Sequence, residues 1–333
     1  MSDKIKEKSL NNKKETDLAY GGQAIIEGIM LRGKDRYAFT VKRPDGTYYK
    51  EMDKYTSLAS KNKIFGFPFI RGIVGFIENM IFGMNILNKS ATIAFPEEEE
   101  KKNSNVNNWT MFFTFVLALV FAFGIFNFLP YFLATITKID HNEKPFLYNL
   151  IAGCIRMVFF FIYIVLISFM KDTKRLFAYH GAEHKTIHTY EQGLPLTIEN
   201  VRKSSRLHPR CGTSFMFIVF LITIIVFPFI NELFIRQVWY KDLHVTLQKI
   251  IIILSHIVIG LPIVSSISYE ILKLAGKFYK SPIVKILVSP GLFFQLFTTR
   301  EPDDNMIKVG IISLNMLLGK EELDTPRDEM SIL

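Results

Sequence analysis

The chain reads as a mainly α, polytopic helical membrane protein. It should carry about four transmembrane helices, further interfacial helices and a small β element. Three observations predict that class. Four apolar runs, Trp109–Thr137, Phe146–Met170, Thr213–Ile235 and Leu247–Leu272, each match the roughly 20 residues that a helix needs to cross hydrocarbon. Hydrophobic residues make up 49% of the 333, with Phe alone counting 31, and the four runs are too long and too uniformly apolar for core strands. The net charge of +9 is carried by basic residues beside the runs, which favours anionic lipid headgroups over nucleic acid as the partner.

The elements follow in chain order. Residues 1–19 are charged and Asn/Lys-rich, predicting a disordered tail without a signal peptide. Residues 20–63 form the small β element. Ala24–Met30 reads as one short strand, while Phe39–Val41 and Thr47–Tyr49 flank the turn Arg43-Pro44-Asp45-Gly46. Residues 64–95 are apolar but interrupted by Gly, Arg71, Glu78 and Asn, which predicts an amphipathic interfacial helix rather than a span. Residues 96–108 are a charged, Asn-rich linker. The four-helix region, 109–272, includes a polar loop at 171–212, and 273–333 form a cytoplasmic or interfacial C-terminal segment. Within it, Ile283–Phe297 is apolar and broken by Pro290-Gly291, and Asp303–Leu318 reads as an amphipathic helix. The loop between the second and third runs is far more basic than the loops on the other side, so it and both termini are expected in the cytoplasm.

That loop carries His180-Gly181-Ala182-Glu183-His184, then His188, then His208-Pro209-Arg210-Cys211. H-x-x-E-H is the inverted zinc-peptidase spacing. On a helix, positions i, i+3 and i+4 share a face, so two imidazoles can hold one ion beside a carboxylate. A divalent metal, Zn²⁺ by its taste for imidazole and thiolate, is the expected cofactor. His180 and His184 would be ligands, His208 or Cys211 would complete the set, and Glu183 would be the general base. Glu191 and Glu270 are the acidic candidates for a third ligand. Alternatively, the histidines simply hydrogen-bond along a juxtamembrane helix, or Cys211 acts as a nucleophile with a histidine base. Thr213-Ser214 are candidate N-caps for the third run. Cys154, inside an apolar run, reads as a small core residue.

Asn127, Arg156 and His256 each lie about ten residues from the outer end of their runs, at one common depth. A charge there must face the bundle and find a partner, for which Glu232 is in reach. A structural network is the favoured reading, with an ion path as its rival.

Several motifs resemble the YqhQ-like family of bacterial membrane proteins. They are Gly21-Gly22-Gln23-Ala24-Ile25-Ile26-Glu27-Gly28-Ile29-Met30-Leu31-Arg32-Gly33, Tyr179–Thr186, His208–Ser214, Tyr269-Glu270 and Thr298-Thr299-Arg300-Glu301-Pro302. The resemblance implies a bacterial inner-membrane location and a metal-dependent enzyme. It also implies functional positions at Gln23, Glu27, Arg32, His180, Glu183, His184, His208, Arg210 and Cys211. From the residues themselves, Glu27 and Arg32 are expected to pair with each other or to line the site. The leading expectation is a hydrolase-like membrane enzyme acting on a membrane-associated substrate. Its rivals are a scaffold or accessory factor for protein insertion, with a translocon component as partner, and a transporter.

Overall fold

The computed structural model describes residues 20–58, 64–67, 70–96, 108–139, 144–209, 211–278 and 281–320. The expected disordered tail, nearly all of the linker, and Arg210 lie outside the described residues. So do the side chains of Asn127, Thr213 and Ser214.

Strands β1 (Gly21–Ile25), β2 (Gly28–Arg32), β3 (Arg36–Lys42) and β4 (Tyr48–Lys54) form an antiparallel meander in the order β1-β2-β3-β4. The β3–β4 turn uses the residues its sequence promised. Gly46 takes a positive φ of 85°, and the Asp45 carboxylate accepts from the Thr47 amide at 2.8 Å. Ala24–Met30 is not one strand. It folds back at Ile26-Glu27, where Glu27 takes a φ of 50° that a side chain resists. Contacts from both sides hold the turn: Lys42 N–H donates to the Glu27 carbonyl at 2.8 Å, and Arg175 grips the Glu27 carboxylate.

Strand β2 is apolar without alternation because both faces of the sheet are covered. Ile29 and Leu31 pack on Tyr179, Ala182, Val309 and Leu314, from helices α4 (Lys171–Glu191) and α9 (Asp304–Leu317). Met30, Phe39 and Val41 pack on Ile86 and Ala94 from helix α1 (Ile70–Ala94). Helix α9 starts where Asp303 accepts from the Met306 amide at 2.9 Å. Its apolar face is fully buried at Ile307, Val309 and Leu314, Asp304, Asn305 and Lys308 stay exposed, and Ser313 Oγ donates to the Ile29 carbonyl.

The remaining long helices are α2, which runs Asn108–Phe123 and continues through a π turn at Gly124–Phe128, then α3 (Pro145–Ile167) and α6 (Gly212–Ile235). A short helix, α5 (Ile198–Lys203), precedes α6, and α7 follows it as Val245–Ser255, a π turn at His256–Gly260, and Leu261–Lys277. Among the described residues, five stretches are long and apolar enough to cross a membrane: Ile70–Ala94, Val116–Thr137, Phe146–Ile167, Phe215–Ile235 and Thr246–Leu274. Helix α1 is thus continuous, despite its polar interruptions. Its two halves have different covers. Near its start, Arg71 forks onto Glu270 of α7 at 2.7 and 2.5 Å, and a Cβ on Gly72 would press on Ser266. Further on, Phe82 packs edge-on against Tyr37, Lys89 pairs with Glu51 at 2.7 Å, and Ser90 Oγ accepts from the Ile26 amide.

Helix α8 (Pro282–Thr298) does not break at Pro290-Gly291. Proline removes the N–H that would have reached the Ile286 carbonyl, and Ser289 Oγ donates to that carbonyl instead, at 2.8 Å. Cys154 is exposed on the outer face of α3 rather than buried in the core. The polar positions within the apolar runs are only partly as expected. Arg156 Nε donates to the Phe126 carbonyl in the α2 π turn at 2.8 Å. Glu232 does not reach it, because Arg236, one turn away on the same helix, takes that carboxylate. His256 Nε2 instead meets Asn231 Oδ1 at 2.7 Å and stacks on Phe227.

A candidate metal centre of two histidines and a cysteine

The H-x-x-E-H run lies in the middle of helix α4, so His180, Glu183 and His184 share one face as their spacing requires. That face meets two other segments: residues 204–209 with Cys211, just before α6, and the end of α8 with the chain after it. Gly181 makes the second meeting close. A Cβ there would overlap the Arg300 carbonyl oxygen, and the Arg300 amide donates to the Phe177 carbonyl at 2.8 Å.

His180 Nδ1 sits 2.8 Å from the Thr298 carbonyl oxygen, and His184 Nδ1 sits 2.6 Å from that of Arg206. A carbonyl can only accept, so each Nδ1 carries a proton, and in the neutral ring Nε2 presents the lone pair. The two lone pairs converge with the Cys211 thiol. His180 Nε2 is 3.2 Å from Sγ, and one ligand atom from each of His180, His184 and Cys211 lies within 4.8 Å of the others. Zinc–nitrogen and zinc–sulfur bonds at tetrahedral angles put such atoms about 3.5 Å apart. The donor set and its carbonyl-oriented imidazoles therefore fit a zinc-type ion.

Glu183 lies beside this trio, its Oε2 3.7 Å from His184 Nε2 and 3.9 Å from His180 Nε2. Burial pushes its carboxyl up to about 8, with His180 opposing the rise and the neighbouring thiol adding to it. Burial also holds the His184 imidazole well below its ordinary range, which keeps it neutral and able to ligate. Gly22 of β1 leaves the space for Glu183: a Cβ there would stand 2.6 Å from its Oε1.

The other candidates are placed elsewhere. His208 adjoins the trio, its ring centroid 5.8 Å from that of His184, but its Nε2 faces Glu191 Oε2 at 3.1 Å. That contact occupies Glu191 as well, and Glu270 is held by Arg71. His188 Nδ1 contacts the Ser205 carbonyl at 3.4 Å. Gln23 reaches the Gly83 carbonyl in α1. Glu27 and Arg32 do not pair, because they lie at opposite ends of β2. Glu27 binds Arg175 and Tyr179, while Arg32 binds Asn79 and covers the Tyr55 ring. Sequence reasoning missed Gln295, which is fully buried and clamps the His208 backbone, accepting from its amide and donating to its carbonyl at 2.8 Å each. A lone amide side chain in the apolar run 283–297 was the available signal.

The family model described as "Protein of unknown function (DUF1385)" matches residues 67–320. The uncharacterized protein YqhQ of Bacillus subtilis (strain 168) is 36% identical over 330 residues, covering 94% of this chain and 96% of its own length. No solved structure matches. The chain therefore belongs to the DUF1385 family of YqhQ-like proteins.

Proposed function

We propose that this chain is a multi-pass protein of the bacterial inner membrane, with a zinc-type metal centre on the cytoplasmic side. We propose further that it is a hydrolase-like enzyme acting on a membrane-associated substrate. One observation carries the reading: His180, His184 and Cys211 bring three neutral-nitrogen or sulfur donors to one point, and each imidazole is fixed by a backbone carbonyl. Ligand orientation of that kind is typical of metal sites. A bound zinc ion supplies Lewis acidity and lowers the pKa of water toward neutrality. The chain's own part is to hold the three donors, exclude bulk water from the buried face, and keep a proton on Glu183 Oε that can be exchanged beside them. Four of the five long apolar stretches form the proposed spans. Helix α1 lies along the surface in this reading, because the sheet covers one face of its second half.

The scaffold reading draws on the basic character of the 171–210 loop. Much of that charge is neutralised within the chain: Arg175 by Glu27, Arg202 by Asp304, Lys203 by Glu199, and Lys185 by Glu301. Metal analysis of tag-free purified protein tests the enzyme reading. About one zinc per chain is expected, lost in His184→Ala and in Cys211→Ser. Sub-stoichiometric metal that neither variant changes refutes it.

A further inference from the structure

An apolar pocket of about 330 Å³ opens among α3, α6 and α8, lined by Phe160, Phe161, Phe217, Phe220, Phe293 and Phe294. That volume is at the lower end of the range of small-molecule sites. Its position is specific. Phe160 and Phe161 lie about 10 Å short of the α3 terminus at Ile167, and Phe217 follows Cys211 by fewer than two helical turns. The pocket therefore occupies the end of the bundle that adjoins the His/Cys centre.

The aromatic wall continues toward that centre. Phe297 packs on Phe161 with ring centroids 5.0 Å apart and on Phe293 at 5.6 Å. One residue later, the Thr298 carbonyl fixes His180. Two residues beyond that stands Arg300, half-buried, its Nη2 3.3 Å from Ser168 Oγ at the end of α3. Among the described residues Arg300 has no carboxylate partner, and its Nε is buried without an acceptor. A partly desolvated guanidinium without a counter-charge is costly, and an external anion relieves that cost. Planar guanidinium donors suit phosphate oxygens best.

We propose that the phenylalanine pocket and Arg300 together bind a phosphate-headed lipid: a hydrocarbon chain fills the pocket and the phosphate meets the guanidinium at the end of α3, on the side of the bundle where the His/Cys centre lies. This names the substrate class for the enzyme reading above and rests on it for its catalytic meaning. The two features need each other. An apolar pocket alone admits any acyl chain, and an arginine alone admits any anion.

The test is a binding titration of the delipidated full chain in detergent, read by native mass spectrometry, with metal content measured on the same samples. The probes are dioctanoyl phosphatidic acid, dioctanoylglycerol and inorganic phosphate. Phosphatidic acid should bind about tenfold or more tighter than either of the others, as expected for one charge-assisted contact added to chain burial. Arg300→Ala should lose that advantage. Val158→Trp, which fills the pocket from its exposed wall, should weaken phosphatidic acid binding about tenfold and leave the fold intact. Equal binding of the diacylglycerol, equal binding of phosphate, or a folded Val158→Trp that binds phosphatidic acid like wild type overturns the proposal. Lipid selectivity without zinc would sink the metal reading and leave the lipid site standing, and zinc without lipid selectivity would do the reverse.

Discussion

Replacing Gly181 with alanine should destabilise the protein, against the ordinary trend for helices. Gly181 sits mid-helix in α4, where alanine is normally favoured by about 1 kcal/mol. At this position the added Cβ would overlap the Arg300 carbonyl oxygen and lie 3.2 Å from its carbon. Those are backbone atoms, held by the Arg300 amide bond to Phe177, so no side chain can swing away. Overpacking of this kind costs about 1–3 kcal/mol, which exceeds or cancels the propensity gain. At about 2–4 °C per kcal/mol, the expected fall in Tm reaches several degrees. Gly75→Ala in α1 is the control, because the nearest atom to its Cβ is 4.0 Å away. It should match wild type or gain slightly. The assay is thermal unfolding of detergent-solubilised protein by intrinsic fluorescence. Displacing Arg300 also displaces the Thr298 carbonyl that orients His180, so zinc affinity should drop about 10–100-fold. A Gly181→Ala protein that unfolds clearly above the wild-type temperature would show that the close crossing of α4 and the 298–300 segment is wrong.

Two further outcomes follow from the site's electrostatics. In metal-free protein the Glu183 carboxyl titrates near 8, against about 4.5 when unfolded, so the folded state binds more protons between those values and loses stability as pH rises through them. Glu183→Gln removes that slope, and its Tm relative to wild type should climb from pH 5 to pH 8; a difference that stays flat with pH contradicts the assignment. His208→Ala should retain zinc, since its imidazole faces Glu191, while losing roughly 1–3 kcal/mol of stability from a buried contact; metal loss in this variant would restore His208 to the ligand set.

Local chemistry made much of this legible. The turn at Arg43–Gly46 needed only Asp and Gly in adjacent positions, and the Asp303 cap needed only a carboxylate before a helical run. The helical face joining His180, Glu183 and His184 followed from spacing alone. The errors came where distant segments override local pattern. β1 and β2 read as one strand because Ile26-Glu27 carries no glycine or asparagine, and the Arg175 contact that stabilises the turn is 148 residues away. Pro290 read as a break because the Ser289 substitution of its missing hydrogen bond is a matter of rotamer. Glu232 went to Arg236 rather than Arg156 because the two stand one turn apart on the same helix face.

The sequence by itself determined the long apolar helices, the small sheet, the family and the helical stripe of imidazoles, since each depends on periodicity, composition or motif within a few dozen residues. Only the tertiary structure decided that Cys211 joins His180 and His184 while His208 turns to Glu191, that Gly181 is the point where α4 and the 298–300 segment come closest, and that the Arg300 guanidinium reaches Ser168 with its Nε left without an acceptor among the described residues. Those outcomes depend on how α4, α6, α8 and the sheet pack together, and side-chain direction at such a junction is set by atoms that are neighbours in space and strangers along the chain.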